Sequence, residues 1–386
     1  MLSNLPVPVQ QGIDLRAWTL IDALVQLGPV AVFGIRHDEP AAPPAPGIEV
    51  WASSSDAELT ARRPAELLEW MRDPDASPGD AYYSEAAATE VDALVRSFAP
   101  GVVVVEELRL HRYLERLDRD RHTVVLDLPS REGDVLRRKA DGDPNRAAAI
   151  LGRALAARHA AIEARLLPAV DRVWACSDVD AAILADRHPS ARFEVVPNTV
   201  DVDSYPPAPE RSDALRILFP ATFAYPPNEA AALTLVDDVL PRVREQEPAA
   251  ELWLVGSHTG PRLSAAAARP GVVHHGAVAD VRPYLATATV MAVPLTVASG
   301  TRYKLLEAFA SRLSVVGTAQ AAEVLDAEDG VHYLQAEDPD ACADAILRTW
   351  SDAAVRRKLA DAAHELVSER YSFAASRRAV AASAAT

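Results

Sequence analysis

Arg302, Lys304 and Glu307 lie within one short segment, Ser299-Gly300-Thr301-Arg302-Tyr303-Lys304-Leu305-Leu306-Glu307-Ala308, and their spacing suggests anion chemistry. Ser299, Gly300 and Thr301 carry little bulk, so a ligand could approach that backbone closely. The residues after Thr301 read as an amphipathic helix, with Leu305, Leu306, Phe309 and Leu313 as its core-facing stripe. Thr301 or Ser299 is placed to cap it. Cations in a first helical turn oppose the helix dipole, which favours negative charge there. A bound anion removes that conflict, because N–H groups, the dipole and two cationic side chains then converge on one phosphate-sized site. Glu307, one turn on, would repel a phosphate and is suited instead to accept hydrogen bonds from sugar hydroxyls such as those of a ribose. The same residues also fit a plain exposed helix face with an i,i+3 Lys–Glu pair worth about 0.2–0.5 kcal/mol. The segment alone leaves both readings open.

The flanking sequence supplies elements that could hold such a site. Val290 to Leu295 reads as a buried strand, and Ser314-Val315-Val316 begins another. Short apolar runs alternate with helical patterns along most of the chain: Val30–Phe33, Val102–Val105, Thr123–Leu128, Val173–Ala175, Arg216–Phe219 and Glu251–Val255. This alternation predicts βα units, parallel sheets and an α/β fold.

At 386 residues the chain is long enough for two domains. Its formal net charge of -16 argues against non-specific nucleic-acid binding and against anchoring on an anionic membrane. An acidic protein that binds an anion must gather its cations locally, and lysine is confined to Lys139, Lys304 and Lys358. No run has the ~18 apolar residues of a membrane span, and the N-terminal stretch lacks the pattern of a signal peptide. Cys176 and Cys342 are the two cysteines, too few for a disulfide framework or a cysteine metal cage. A cytoplasmic location is expected.

The Gly300–Ala308 segment with Ser314-Val315-Val316 resembles the nucleotide-sugar site of family 4 glycosyltransferases of the GT-B fold, which carry G-[ST]-R-x-K-x-x-E-A before a "PVV" strand. Further matches are Val173-Trp174-Ala175-Cys176-Ser177, the hinge Pro197-Asn198-Thr199-Val200-Asp201, Tyr225-Pro226-Pro227-Asn228, and Gly276-Ala277-Val278 followed by Asp280-Val281-Arg282-Pro283-Tyr284-Leu285. The resemblance implies two Rossmann-like doubly wound domains facing each other across a cleft. It places an acceptor-binding domain at 1–205, a nucleotide-sugar-binding domain at 206–365, and a C-terminal helix at 366–386 that crosses back to the first.

The same resemblance implies site residues. Arg302 and Lys304 would hold the diphosphate, and Glu307 the ribose. Gly12, Val278, Ser299, Gly300, Thr301 and Leu305 complete the expected nucleotide-sugar set. Arg16, behind Gly12 on a helix, is an acceptor-side candidate. Glu107 and His111 follow the strand Val102–Val105, where strand ends face the cleft of open α/β sheets; the start of a surface helix is the plainer reading of both. Asp127 and Glu132 match the family's D-x-H-N-V-E run, while Pro129 stands where a histidine is usual, so His111 is the candidate to replace it. Ser299 replaces a customary glutamate, and Ala221 a glycine. Asp178-Val179-Asp180 and Asp201-Val202-Asp203 imitate a metal-binding D-x-D; the first reads as a helix start and the second as linker.

The activity implied is a retaining, hexosyltransferase-type transfer from a nucleotide-diphosphate sugar to a hydroxyl on a small-molecule, glycan or natural-product acceptor, without metal or other cofactor. A GT-B nucleotide-sugar epimerase and a non-catalytic nucleotide-sugar-binding protein are the alternatives.

Overall fold

The computed structural model describes residues 1–4, 12–36, 48–53, 78–142, 145–209, 213–257, 260–296 and 302–385. The chain divides into two compact units, Met1–Asn198 with Ser376–Thr386, and Thr199–Ala375. The division falls after Asn198. Thr199 and Val200 are buried, Val200 joins the second unit's core, and its N–H donates to Tyr371 O.

In the first unit, β1 (Leu2–Asn4), β2 (Val30–Arg36) and β3 (Ile48–Ala52) form one parallel sheet in the order β1-β2-β3. β4 (Val102–Glu106), β5 (Thr123–Leu128), β6 (Arg172–Ala175) and β7 (Phe193–Val195) form another in chain order. Met1 stitches the two: its nitrogen donates to Val104 O, and its carbonyl accepts from Glu106 N. The strands are short and apolar because helices cover them; Val124, Val173 and Ala175 are fully buried.

The second unit holds a single six-stranded parallel sheet in the order β10-β9-β8-β11-β12-β13. Its strands are β8 (Arg216–Pro220), β9 (Glu251–Val255), β10 (Val272–Gly276), β11 (Val290–Val293), β12 (Val315–Gly317) and β13 (Leu334–Gln335). The chain runs outward from β8 through β9 to β10, then returns to the other side of β8 as β11. Strand order therefore reverses between β8 and β11, the position at which open α/β sheets bind ligands beyond their strand ends. Every residue of β11 is buried, as a central strand covered on both faces requires. The expected α/β class with parallel sheets is what the chain forms.

Candidate nucleotide-sugar site

The helix after β11 spans Tyr303–Ala310, with Arg302 as its N-cap in an extended conformation and no side-chain cap. The cap is thus Arg302, not Thr301 or Ser299; Ser299, Gly300 and Thr301 lie outside the described residues. Leu305, Leu306 and Phe309 bury one face of this helix in the core. Leu305 is a core residue: its side chain is buried and its N–H already donates to Arg302 O at 2.9 Å. Lys304 and Glu307 occupy the other face, and Arg302 is buried at the helix start.

Lys304 reaches back across the reversal point. Its Nζ lies 4.4 Å from the Phe219 ring centroid on β8, and it donates to Asn228 Oδ1 at 3.4 Å. Asn228 belongs to the helix Pro226–Thr234 that follows β8, and its Nδ2 donates to Thr222 O at 3.0 Å. One lysine therefore ties the helix after β11 to β8 and to the helix that follows β8. Burial, with the nearby Arg302 cation adding to it and Glu307 partly opposing, lowers the Lys304 pKa to about 7. A phosphate would reverse that balance by supplying the missing negative charge.

Glu307 accepts a hydrogen bond from the Tyr205 hydroxyl at 3.1 Å. Burial raises the Glu307 pKa, and the Tyr205 hydrogen bond and Lys304 pull it partly back. Tyr205 is held well above the ordinary phenol range by burial and by the Glu307 carboxylate. Val278 sits in the loop after β10, half-buried against the same core. Beyond it Asp280 pairs with Arg282 at 2.9 Å, which lowers the Asp280 pKa. At the end of β9, Gly256 has φ +147°, and an added Cβ would lie 1.7 Å from Ala221 O, so the approach of the β8 and β9 loops depends on glycine there.

Residues 214–352 match the family model described as Glycosyl transferases group 1. No curated protein matches the chain by sequence. Sucrose-phosphate synthase from Thermosynechococcus elongatus superposes with a TM-score of 0.74 at 16% identity, over 99% of this chain and 96% of that one. HepE of Anabaena, solved with UDP and glucose, gives 0.66 at 13% identity over 100% and 98%. WaaG, a glycosyltransferase involved in lipopolysaccharide biosynthesis, gives 0.63 at 13% identity over 98% and 97%. The fold is GT-B.

In this GT-B chain the first unit's candidates separate into two groups. Gly12 opens the helix Gly12–Val25, and Arg16 on that helix is 1% exposed. The Arg16 guanidinium pairs with Asp127 through both nitrogens Nε and Nη2, and Nη1 donates to Val196 O at 3.0 Å and Asn198 Oδ1 at 2.7 Å. Arg16 thus ties the helix to β5 and to the chain after β7. His111 is 3% exposed, with Nδ1 3.4 Å from Glu115 Oε1, and burial lowers its pKa. Its side chain is enclosed, and one of its polar contacts is local.

Glu107 and Glu132 do come together. Glu107 follows β4 with φ 68° and ψ 138°, a conformation that costs a non-glycine residue about 1–3 kcal/mol and is concentrated at functional sites. Arg109 Nη2 is 2.7 Å from Glu107 Oε1 and 3.5 Å from Glu132 Oε1. Behind Glu132, His159 lies between it at 3.6 Å and Glu163 at 3.2 Å. Burial alone would lower the His159 pKa; the two carboxylates outweigh it and raise the value to about 9. Arg109 and His159 do not stand out in the sequence, because folding alone brings Arg109 beside both glutamates and packs the helix Arg146–Leu166, with His159, against the helix Glu132–Asp141. Of the D-x-D look-alikes, Asp180 accepts from Ser177 at the helix cap at 2.9 Å and pairs with Arg131 at 2.6 Å.

No helix among the described residues is long and apolar enough to cross a membrane.

Proposed function

We propose that this protein is a glycosyltransferase that moves a hexosyl group from a nucleotide-diphosphate sugar to a hydroxyl acceptor with retention of anomeric configuration. The observation that carries the reading is the Lys304 ammonium, which links the helix after β11 to β8 and the helix after β8 at the reversal point, beside Arg302 and one turn from Glu307. In this reading Arg302 and Lys304 bind the diphosphate and stabilise its charge as the glycosidic bond breaks. They do what a metal ion does in other transferases, so no metal is required. Glu307 accepts from the ribose hydroxyls, and the loop at Val278 takes the base through its backbone. The departing phosphate accepts the acceptor's proton. The first unit binds the acceptor, a small molecule, glycan or natural product, near Glu107, Arg109 and Glu132. The reaction takes place in the cytoplasm.

UDP-sugars are the first donors to test, since HepE is solved with UDP and glucose. The expected result is release of UDP that depends on an added hydroxyl acceptor, persists in EDTA, and yields a product of the donor's anomeric configuration. Epimerised donor, an inverted product or complete loss in EDTA would each contradict a part of this assignment.

A further inference from the structure

The loop after β8 governs where the Lys304 ammonium can point. Thr222 lies in that loop, 221–225, between β8 and the helix Pro226–Thr234. Both of its neighbours are fixed to the end of β9 and the residues after it. The Ala221 N–H donates to Val255 O at 2.8 Å, and the Phe223 N–H donates to Ser257 O at 3.0 Å. The Thr222 carbonyl accepts in turn from the Tyr225 N–H at 3.3 Å and from Asn228 Nδ2 at 3.0 Å. A carbonyl can only accept, so this bond decides which way the Asn228 amide faces. Its oxygen is left for Lys304, whose Nζ lies 3.4 Å away.

An ammonium has three N–H donors. Among the described residues, the one hydrogen bond of Lys304 is to Asn228, and the Phe219 ring centroid lies 4.4 Å from its Nζ. The face of that ring attracts an ammonium and offers little to a neutral amine. Two N–H bonds remain for a ligand, with Asn228 and the ring fixing their direction. Lysine otherwise carries its charge on a flexible four-carbon stem. Holding the charge in place before the ligand arrives removes an ordering cost from binding.

We propose that Asn228 is a positioning residue for the donor's diphosphate: held by the Thr222 carbonyl, it fixes the Lys304 ammonium over Phe219 so that the remaining N–H bonds meet the phosphate oxygens. The inference rests on the assignment of Lys304 to the diphosphate. It requires a neutral acceptor at position 228. Aspartate is nearly the same size and would stand in the first turn of the helix Pro226–Thr234, where negative charge favours the helix dipole, so the fold should hold. It has no Nδ2 to give to Thr222, and its carboxylate would satisfy the charge meant for the diphosphate while repelling the diphosphate itself. Leucine, of similar shape, makes neither bond.

The test joins lysine-selective 13C labelling to binding of UDP, GDP, ADP and dTDP, measured in the wild type, Asn228→Asp, Asn228→Leu and Lys304→Met. The chain has three lysines, and the 13Cε signal of Lys304 is the one lost in Lys304→Met. In Asn228→Asp the Lys304 pKa should rise from about 7 to about 8 or above. The Kd of the tightest-binding nucleotide should rise about tenfold or more in both Asn228 variants. In Asn228→Asp the affinity should also become nearly flat from about pH 6.5 to about pH 8, because Lys304 stays charged across that range. A purely structural loss would weaken binding equally at every pH and leave the Lys304 signal unmoved. An unmoved Lys304 titration in Asn228→Asp would overturn the role of Asn228, as would unchanged Kd values in both Asn228 variants while Lys304→Met loses binding. Either result leaves the donor-site assignment standing. Wild-type affinity in Lys304→Met, or a wild type that binds none of the four nucleotides, would overturn the donor-site assignment and this inference with it.

Discussion

The Tyr205 hydroxyl donates to Glu307 Oε1 at 3.1 Å, so a residue from the first stretch of the second unit orients the carboxylate assigned to the ribose. Without that bond, the carboxylate loses a fixed donor in a partly buried place. Tyr205→Phe should therefore raise the donor KM about 3- to 10-fold, corresponding to the loss of roughly 1 kcal/mol or a little more, with kcat within about twofold. Initial-rate kinetics against donor concentration measure it. A fall in kcat at constant KM would place Tyr205 in the chemical step.

Lys304 gives the donor affinity a pH dependence. Its pKa of about 7 in the free protein means that it is charged below that pH and largely neutral above it. A bound diphosphate raises the pKa, so binding takes up a proton above pH 7. Affinity should be greatest below pH 7 and fall progressively as pH rises from 7 towards 9. Calorimetry in buffers of different ionisation enthalpy reads the proton uptake directly, and Lys304→Arg should flatten the profile.

His159 links stability to pH in a defined direction. Its folded pKa, raised to about 9, exceeds the ordinary value of 6.5. The stabilisation is therefore complete below about pH 6.5 and is lost as pH rises through 9, amounting to roughly 3 kcal/mol. Denaturant midpoints between pH 6 and 9.5 should fall in the wild type and be flatter in His159→Gln. A midpoint rising over that window would show that the imidazole is neutral between its two carboxylates.

Arg16 should behave as a structural residue. Removing one partner of a buried, hydrogen-bonded pair leaves Asp127 uncompensated, a loss on the order of 3–5 kcal/mol. Arg16→Ala should lower Tm by several degrees while leaving the acceptor KM of the folded fraction unchanged. A normal Tm with a raised acceptor KM would return Arg16 to the acceptor site.

The α/β class is legible in the sequence because strands such as Val290–Val293 are apolar on both faces, a pattern produced by parallel sheets. The Arg302–Glu307 segment is legible because its residues are local, one helical turn apart. Phe219 and Asn228 as partners of Lys304 are not, since their approach follows from β11 returning beside β8 rather than beside β10. Tyr205 lies 102 positions from Glu307, in a stretch that reads only as linker. Arg16 also has partners that the sequence does not show. An arginine behind a loop glycine reads as a ligand contact until Asp127 and Asn198 are found around it. His111 follows the same pattern, since its enclosure depends on segments distant in sequence.

A nucleotide held at the start of the helix Tyr303–Ala310 is the centre of the proposed mechanism. Thermal stabilisation by UDP-, GDP-, ADP- and dTDP-sugars, measured for the wild type, Arg302→Ala and Glu307→Ala, tests this directly. One nucleotide series should raise the wild-type Tm by several degrees and leave both variants nearly unmoved. An equal rise in all three proteins would put the nucleotide elsewhere.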